Sequence, residues 1–407
     1  MSTTDYASMH PDCPAILFGA FDRHNFGDLL LAQVMGRLLA DRRLLYAGLA
    51  DRDLRGHGGH RVHAITRLAA AVGDAAVDII HVGGEILTCH AWEAAVMLLG
   101  TEPARSIIAQ LDSRAPERTA WARDLLGLPD LAPYLLPAGL FPNTRRVIYH
   151  AAGGIEFDRL DRAMQDEVVA KLGSAAHVSV RDRQTRAMLA AHGVRSHLEP
   201  DPAVMVRELF GTRIDSRCHR GELAALLAAF PRGYLAMQFA AEFGDDQTLA
   251  LLAGQLQRIA RSTGLGVVLF RAGAAPWHDD LSCYRRLAAR LDDMSVALLE
   301  SLNLWDICAL ISRSRCYAGS SLHGGIVANA FGLPWLGLLR PGQDPDTSKQ
   351  AAFWSTWGTA GAPAAVQVEA MADGVNQAMA SDPVQRTRLA SELVSACRAS
   401  LQSAHGD

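Results

Sequence analysis

Short apolar runs alternate with helical patterns along nearly the whole chain, from Ala15 to Leu339. No other feature restricts the fold as much. Successive parallel strands need a crossover between them, and a helix is the usual crossover. The alternation therefore specifies an α/β protein with a mainly parallel sheet. It predicts strands at Ala15–Gly19, Arg43–Gly48, Val77–Val82, Val147–His150, His177–Arg181 and the edge Ser196–Leu198. It restarts with strands at Tyr234–Phe239, Gly266–Phe270, Val296–Leu299, one beginning at Tyr317, and Trp335–Leu339. A single core stops growing at roughly 250–300 residues, so a chain of 407 residues calls for two.

Val206–Arg220 is polar and weakly patterned, and the domain boundary is placed there. The expected organisation is a Rossmann-like domain over 13–205, a second over 221–364, and C-terminal helices over 365–407. Those helices are drawn at Ala365–Met379 and Pro383–Ser403. Residues 91–143 read as helical and loop material with several prolines, an insertion on the strand ends. Two doubly wound halves imply a cleft between them. Open parallel sheets bind ligands at the carboxyl ends of their strands, so function is expected in the loops that follow them.

Hydrophobic residues make up 49% of the chain and charged residues 20%, an ordinary globular balance. A net charge of −4 without a basic stripe argues against a nucleic-acid partner. No segment reaches the roughly 18 uninterrupted apolar residues of a membrane helix. The apolar stretch Val77–Leu99 is broken by His81, Glu85, His90 and Glu93. Met1–Pro14 lacks the basic-then-apolar order of a signal peptide. The seven cysteines are scattered, odd in number and without a C-x-x-C pair, which fits reduced thiols better than disulfides or zinc. A cytoplasmic protein is expected, and peripheral attachment to the inner membrane face is compatible with these features.

Among the loops, Tyr317–Pro334 is the most informative: a short strand, a Gly-Ser-Ser turn, His323, and a small-residue helix ending at Gly332-Leu333-Pro334. Ser320 and Ser321 can cap that helix. Its first turn offers free amides and partial positive charge to an anion, with His323 placed to hydrogen-bond or protonate it. His323 could equally satisfy backbone groups near a tight turn. Gln238 and Arg271 follow strands of the second half, and Trp277, His278 and Asp279 share the loop of Arg271. His57, His60 and His63 lie in a glycine-rich segment that reads as a mobile loop, and no metal site is assigned. Trp354 and Trp357 could stack on a sugar or sit in the core.

Four dispersed motifs carry a family resemblance. They are Gly19 with Asn25-Phe26-Gly27-Asp28; His81-Val82-Gly83-Gly84-Glu85; Val178–Thr185 followed by Leu189, His192–Val194 and Glu199-Pro200-Asp201-Pro202; and Gly319–Pro334. In this order the chain resembles the polysaccharide pyruvyltransferase family. The resemblance implies a GT-B-like fold of two Rossmann-like domains. It also implies transfer of pyruvate from phosphoenolpyruvate onto a sugar hydroxyl pair as a ketal, with no cofactor beyond the donor substrate.

By that resemblance, His323 holds phosphate or acts as general acid. Glu85 is a candidate base for the acceptor hydroxyl. Arg181, Ser320, Ser321, Gly324 and Lys349 bind the donor, and Asn25, Asp28, Gly83, Gly84, Gln238 and Arg271 bind substrate. Guanidinium groups suit such a donor, because they match phosphate and carboxylate bidentately. Asn25 and Asp28 could instead only build the turn, and Asp201 is read as shaping the turn before Pro202. Two positions depart from the family pattern. Ser321 stands where many members have Arg, and Glu85 where a third Gly is common; a carboxylate there could also repel the donor. The expected partner is a sugar or lipid-linked oligosaccharide acceptor, and a homo-oligomer is compatible with the sequence. The alternatives are a divergent GT-B-like transferase using a nucleotide sugar, or one acting in small-molecule or peptide biosynthesis. A binding protein for an anionic sugar comes third.

Overall fold

A computed structural model describes residues 13–292, 294–358 and 365–406. The segment read for a signal peptide, up to residue 12, and the expected boundary at 364 lie outside them. The chain divides into two compact units. Among the described residues, one comprises those up to His24, Asp28–Pro202 and those from Ala396; the other comprises Asn25–Gly27 and those of Ala203–Ser395.

The first unit contains an eight-stranded sheet. Its strands are β1 (Ala15–Phe18), β2 (Leu44–Gly48), β3 (Arg52–Asp53), β4 (Arg61–Ala64), β5 (Val77–His81), β6 (Thr144–Ala152), β7 (His177–Val180) and β8 (His197–Leu198). The order is β3-β4-β2-β1-β5-β6-β7-β8, with every neighbouring pair parallel except β3–β4. β1 and β5 are buried along their whole length, as strands covered on both faces must be. The chain winds from β1 to β2 on one side and returns to β5 on the other. The loops after β1 and β5 therefore part at a topological switch point, where open α/β sheets bind ligands.

The second unit repeats the plan with six strands. They are β9 (Tyr234–Gln238), β10 (Gly266–Phe270), β11 (Val296–Leu299), β12 (Cys316–Gly319), β13 (Trp335–Leu339) and β14 (Ala365–Gln367). The order is β11-β10-β9-β12-β13-β14, and all pairs are parallel. The switch point here lies between β9 and β12, whose ends pair Gln238 with Gly319.

Several expectations need correction. Val206–Arg217 is a helix of the second unit and not a linker. It carries almost no apolar stripe because it docks by other means. Phe210 meets Trp305 at 4.8 Å, Arg213 lies 4.1 Å over the same ring, and Arg217 pairs with Asp306 at 2.6 Å. The stretch drawn as a helix from Ala365 opens with β14, and the helix begins at Met371. The described residues 365–406, expected as C-terminal helices over 365–407, are not a separate body, since they are shared between the units.

The histidine-bearing segment is ordered: a 3-10 turn at Arg55–His57 runs into β4. His60 stacks on Tyr46 at 3.7 Å, and His63 sits 3.8 Å from Asp51. Among the described residues no group of three or more His, Cys, Asp or Glu side chains could hold a metal ion. All seven cysteines are buried, and none is joined in a disulfide. No helix of the described residues is long and apolar enough to cross a membrane.

The 91–143 insertion forms helices at Ala91–Met97, Thr101–Leu111 and Ala115–Leu126 around a small core of Trp92, Val96 and Ala104. Its return segment adds Ala132, Tyr134 and Leu135 to the main core of the first unit. His81 anchors that segment. It lies 3.2 Å from the Ile148 carbonyl through Nδ1 and accepts from the Leu136 amide through Nε2 at 3.1 Å. Burial pushes its pKa down to about 3, so it is a neutral structural group.

Candidate functional site

In the first unit the glycine-rich turn after β5 depends on its glycines. Gly83 and Gly84 have φ values of 101° and 93°, which side chains avoid. A Cβ on Gly84 would also lie 2.9 Å from Asp28 Oδ1, so Asp28 faces this turn. Asp28 is buried and 3.9 Å from Arg23. Arg23 in turn donates to the Tyr134 hydroxyl, which donates to Asp22 at 2.8 Å. Asp22 also accepts from the amides of Leu49 at 2.5 Å and Ala50 at 3.2 Å. Burial raises its pKa against the pull of Arg23 and these donors.

Sequence reasoning missed Asp22, Arg23 and Tyr134. The first two lie inside the first motif's loop, where a charged pair at a strand end was the available signal. Tyr134 comes from the insertion and carried none.

Arg181, expected to hold the donor, is only 2% exposed, directly after β7. Its guanidinium donates to Glu85 and to Asp201, the latter at 3.4 Å. Asp201 is fully buried, so it is a counter-charge as well as a turn residue. The other oxygen of Glu85 accepts from the Ile155 amide at 3.1 Å. Thus the two residues predicted to act separately, as donor clamp and base, are bound to each other. Gly153 makes room for them: a Cβ there would sit 2.5 Å from both Arg181 Nη2 and Glu85 Oε2.

The strand below is strained. Ala151 adopts φ 42°, beside an irregularity in the β6–β7 register, and its amide donates to Ser179 Oγ at 2.8 Å. Ser179 donates to Glu199 at 2.6 Å, and His177 Nε2 meets the same carboxylate at 3.0 Å. Burial opposes the charge on Glu199. The hydrogen bonds from His150, His177 and Ser179 outweigh it and hold the carboxyl well below its usual range.

In the second unit the switch point is built around Gln238, which is 2% exposed. Its Nε2 donates to both Asp279 oxygens at 3.0 Å, and its Oε1 accepts from the Ser321 amide at 2.8 Å. The Ser320 hydroxyl accepts from the Ala240 amide at 3.0 Å, stitching the loop after β9 to the turn after β12. Ser320 therefore does not cap the helix Leu322–Ala330. Ser321 does, accepting from the Gly324 amide at 3.3 Å. Gln350 donates to the Ser320 carbonyl, and Ser348 caps the helix Lys349–Trp357. Lys349 is exposed at the first position of that helix. Gly324 is where the Tyr317 ring packs: a Cβ would lie 2.4 Å from it. Gln238 thus orients the turn before His323.

His323 lies in the first turn of its helix against Gly27, where a Cβ would stand 2.0 Å from Nδ1. The tripeptide containing Gly27 is fixed within this unit. Phe26 donates its amide to the Ala272 carbonyl at 2.7 Å, and Asn25 bridges Gly273. Asn25 Oδ1 accepts from the Gly27 amide at 2.9 Å, so it shapes this turn.

Asp279 accepts, besides Gln238, the Ala272 amide at 2.5 Å and the Tyr284 hydroxyl at 3.3 Å. Burial pushes its pKa up to about 6. Trp277, in the same loop, is 45% exposed and adopts φ 63°, a conformation an indole side chain rarely takes. Trp354 is buried and stacked on Trp335 at 3.9 Å, so it belongs to the core. A cavity of about 630 Å³ lined by Phe230, Arg232, Gln257 and Arg261 opens near the starts of β9 and β10, away from these residues.

The family profile described as polysaccharide pyruvyl transferase matches residues 10–340. No curated protein matches the chain. Solved structures share its architecture. UDP-N-acetylglucosamine 2-epimerase from Rickettsia bellii aligns with a TM-score of 0.52 at 12% identity, covering 96% of this chain and 95% of that one. The UDP-GlcNAc 2-epimerase of Methanocaldococcus jannaschii gives 0.51 at 10% identity over 94% and 99%. Anabaena Alr3699/HepE, solved in complex with UDP and glucose, gives 0.51 at 11% identity over 97% and 99%. At such identities the likeness shows the fold alone, the GT-B-like pair of parallel-sheet domains.

Proposed function

The chain belongs to the polysaccharide pyruvyl transferase family and is a transferase, and from that premise we propose that it moves the pyruvyl group of phosphoenolpyruvate onto a sugar hydroxyl pair as a ketal. The acceptor is a precursor of a cell-surface polysaccharide or glycoconjugate, free or carried on a lipid.

The observation that carries this reading is the Gln238–Ser321–His323 arrangement at the β9/β12 switch point. Gln238 and Gly324 fix the turn, and Gly27 admits the imidazole. An imidazole can take up a proton or give one to a reacting atom.

The reaction needs such a group. A proton is added to the methylene carbon of phosphoenolpyruvate and leaves C2 cationic. One acceptor hydroxyl attacks C2 and loses its proton. The C2–O bond to phosphate breaks and the phosphate takes up a proton. The second hydroxyl then closes the ketal at C2 and releases its proton. His323 serves as the proton donor. Glu85, with both oxygens engaged, holds Arg181 and the amide of Ile155, and the acceptor proton leaves by another route. Trp277 offers an exposed aromatic face to a sugar. The reading calls for no cofactor beyond the donor.

The test uses phosphoenolpyruvate labelled with carbon-13 at the methylene and a panel of hexosides with adjacent free hydroxyls. One phosphate released per labelled ketal methyl formed, lost in His323→Ala, supports the reading. Turnover of a UDP-sugar with phosphoenolpyruvate untouched overturns it.

A further inference from the structure

We infer that Arg271, and not Arg181, is the guanidinium that grips an acid group of the anionic donor beside His323. The inference rests on the pyruvyl-transfer reading and names a binding residue within it.

The two arginines differ in what surrounds them. Arg181 is already neutralised by Glu85 and Asp201, with only 2% of its surface exposed. A donor reaching it must displace a carboxylate and enter a site that already holds two negative charges. Arg271 is partly buried at the carboxyl end of β10. Its Nε is buried without a hydrogen-bond partner, and the side chain makes no ion pair among the described residues. The carboxylates of its own loop are spent elsewhere. Asp279 serves Gln238, the Ala272 amide and Tyr284, and Asp280 caps the helix Leu281–Ala288. A buried guanidinium donor without a partner is costly, and an anion relieves that cost.

Arg271 also stands in the right place. The carbonyl of Ala272, the next residue, accepts from Phe26, and the residue after Phe26 is Gly27, against which His323 packs. One short bridge of backbone thus joins the Arg271 loop to the His323 imidazole. At position 321 of the same turn the side chain is a serine committed to capping, so this turn supplies no guanidinium of its own. Arg271 provides the bidentate fork that phosphate and carboxylate both suit.

The experiment is calorimetric titration of phosphoenolpyruvate into wild type, Arg271→Gln, Arg271→Lys and Arg181→Gln, with unliganded melting curves of each. Inorganic phosphate and pyruvate, titrated separately, tell which acid group Arg271 meets. The expected result is a Kd raised roughly 10- to 100-fold in Arg271→Gln, as for loss of a hydrogen bond to a charged group. Arg271→Lys should lose less, since it keeps the charge and not the fork. The unliganded melting temperature of Arg271→Gln should stay close to wild type, because no hydrogen bond or ion pair to the protein is lost. Wild-type affinity in Arg271→Gln overturns the inference and leaves the pyruvyl-transfer reading standing. A sharp fall in its unliganded stability also overturns it, by marking Arg271 as structural. If wild type binds UDP-sugars and gives no heat with phosphoenolpyruvate, the functional reading itself fails and the inference falls with it.

Discussion

Replacing Gly27 by alanine should cripple turnover while leaving the fold intact. The added methyl would lie 2.0 Å from His323 Nδ1 and 2.5 Å from Cγ and Cε1. Real Cβ atoms essentially never approach a neighbour within 3.0 Å, so the imidazole must retreat by about 1 Å. A misplacement of that size at a reacting group costs roughly 100-fold in rate, or about 2.7 kcal/mol of barrier. Stability should move little. Gly27 is the second residue of the helix Phe26–Leu38, where alanine is the better residue by roughly 0.5–1 kcal/mol, which offsets part of the strain of displacing one ring. The assay is phosphate release from phosphoenolpyruvate with a saturating acceptor, beside circular dichroism melting. Gly254→Ala is the control: it lies in the helix Asp246–Thr263 with open space around the Cβ position. It should gain about 0.5–1 kcal/mol and keep full activity. A folded Gly27→Ala enzyme with wild-type turnover would refute the placement of His323 as proton donor.

Three further outcomes follow from the same geometry. Arg181→Gln strands two carboxylates in a buried site and should cost roughly 3–5 kcal/mol of stability in urea unfolding; Arg181→Gln with Glu85→Gln should recover part of it, and an unchanged midpoint in the single variant would contradict the pairing. Asp279 is held neutral up to about 6 against an ordinary 3.8, so its contribution to stability is complete below about 3.8 and lost as pH rises through about 6. Relative to Asp279→Asn, wild type should therefore lose about 3 kcal/mol between about pH 4 and pH 7, and parallel pH profiles would refute this. Trp277→Gly should relieve backbone strain by about 1 kcal/mol, measured by melting, and raise the acceptor KM without changing phosphoenolpyruvate affinity; an unchanged KM would remove Trp277 from the acceptor site.

The central strands were legible because buried parallel strands are continuous apolar runs between turn residues, as Ala15–Phe18 and Tyr234–Gln238 are. β14 escaped because it has three half-buried residues and no run to detect. The helix Val206–Arg217 escaped because it docks through Arg213, Arg217 and Phe210 and not through an apolar stripe. Within the site, motifs located the loops and not the pairings. Arg181 and Glu85 stand 96 residues apart in sequence, and nothing in either motif announces that one neutralises the other. Nor could spacing show that Ser320 stitches two loops while only Ser321 caps the helix. The uncommitted state of Arg271 is likewise a property of its surroundings in space.

The most direct test of pyruvyl transfer is a thermal-shift titration of the intact protein with phosphoenolpyruvate and, in parallel, with UDP-sugars, on wild type and His323→Ala. A ligand that binds only the folded state raises the melting temperature with its concentration. The account predicts such a rise with phosphoenolpyruvate, weakened in His323→Ala. A rise with UDP-sugars alone would contradict it and make this chain a sugar-nucleotide enzyme.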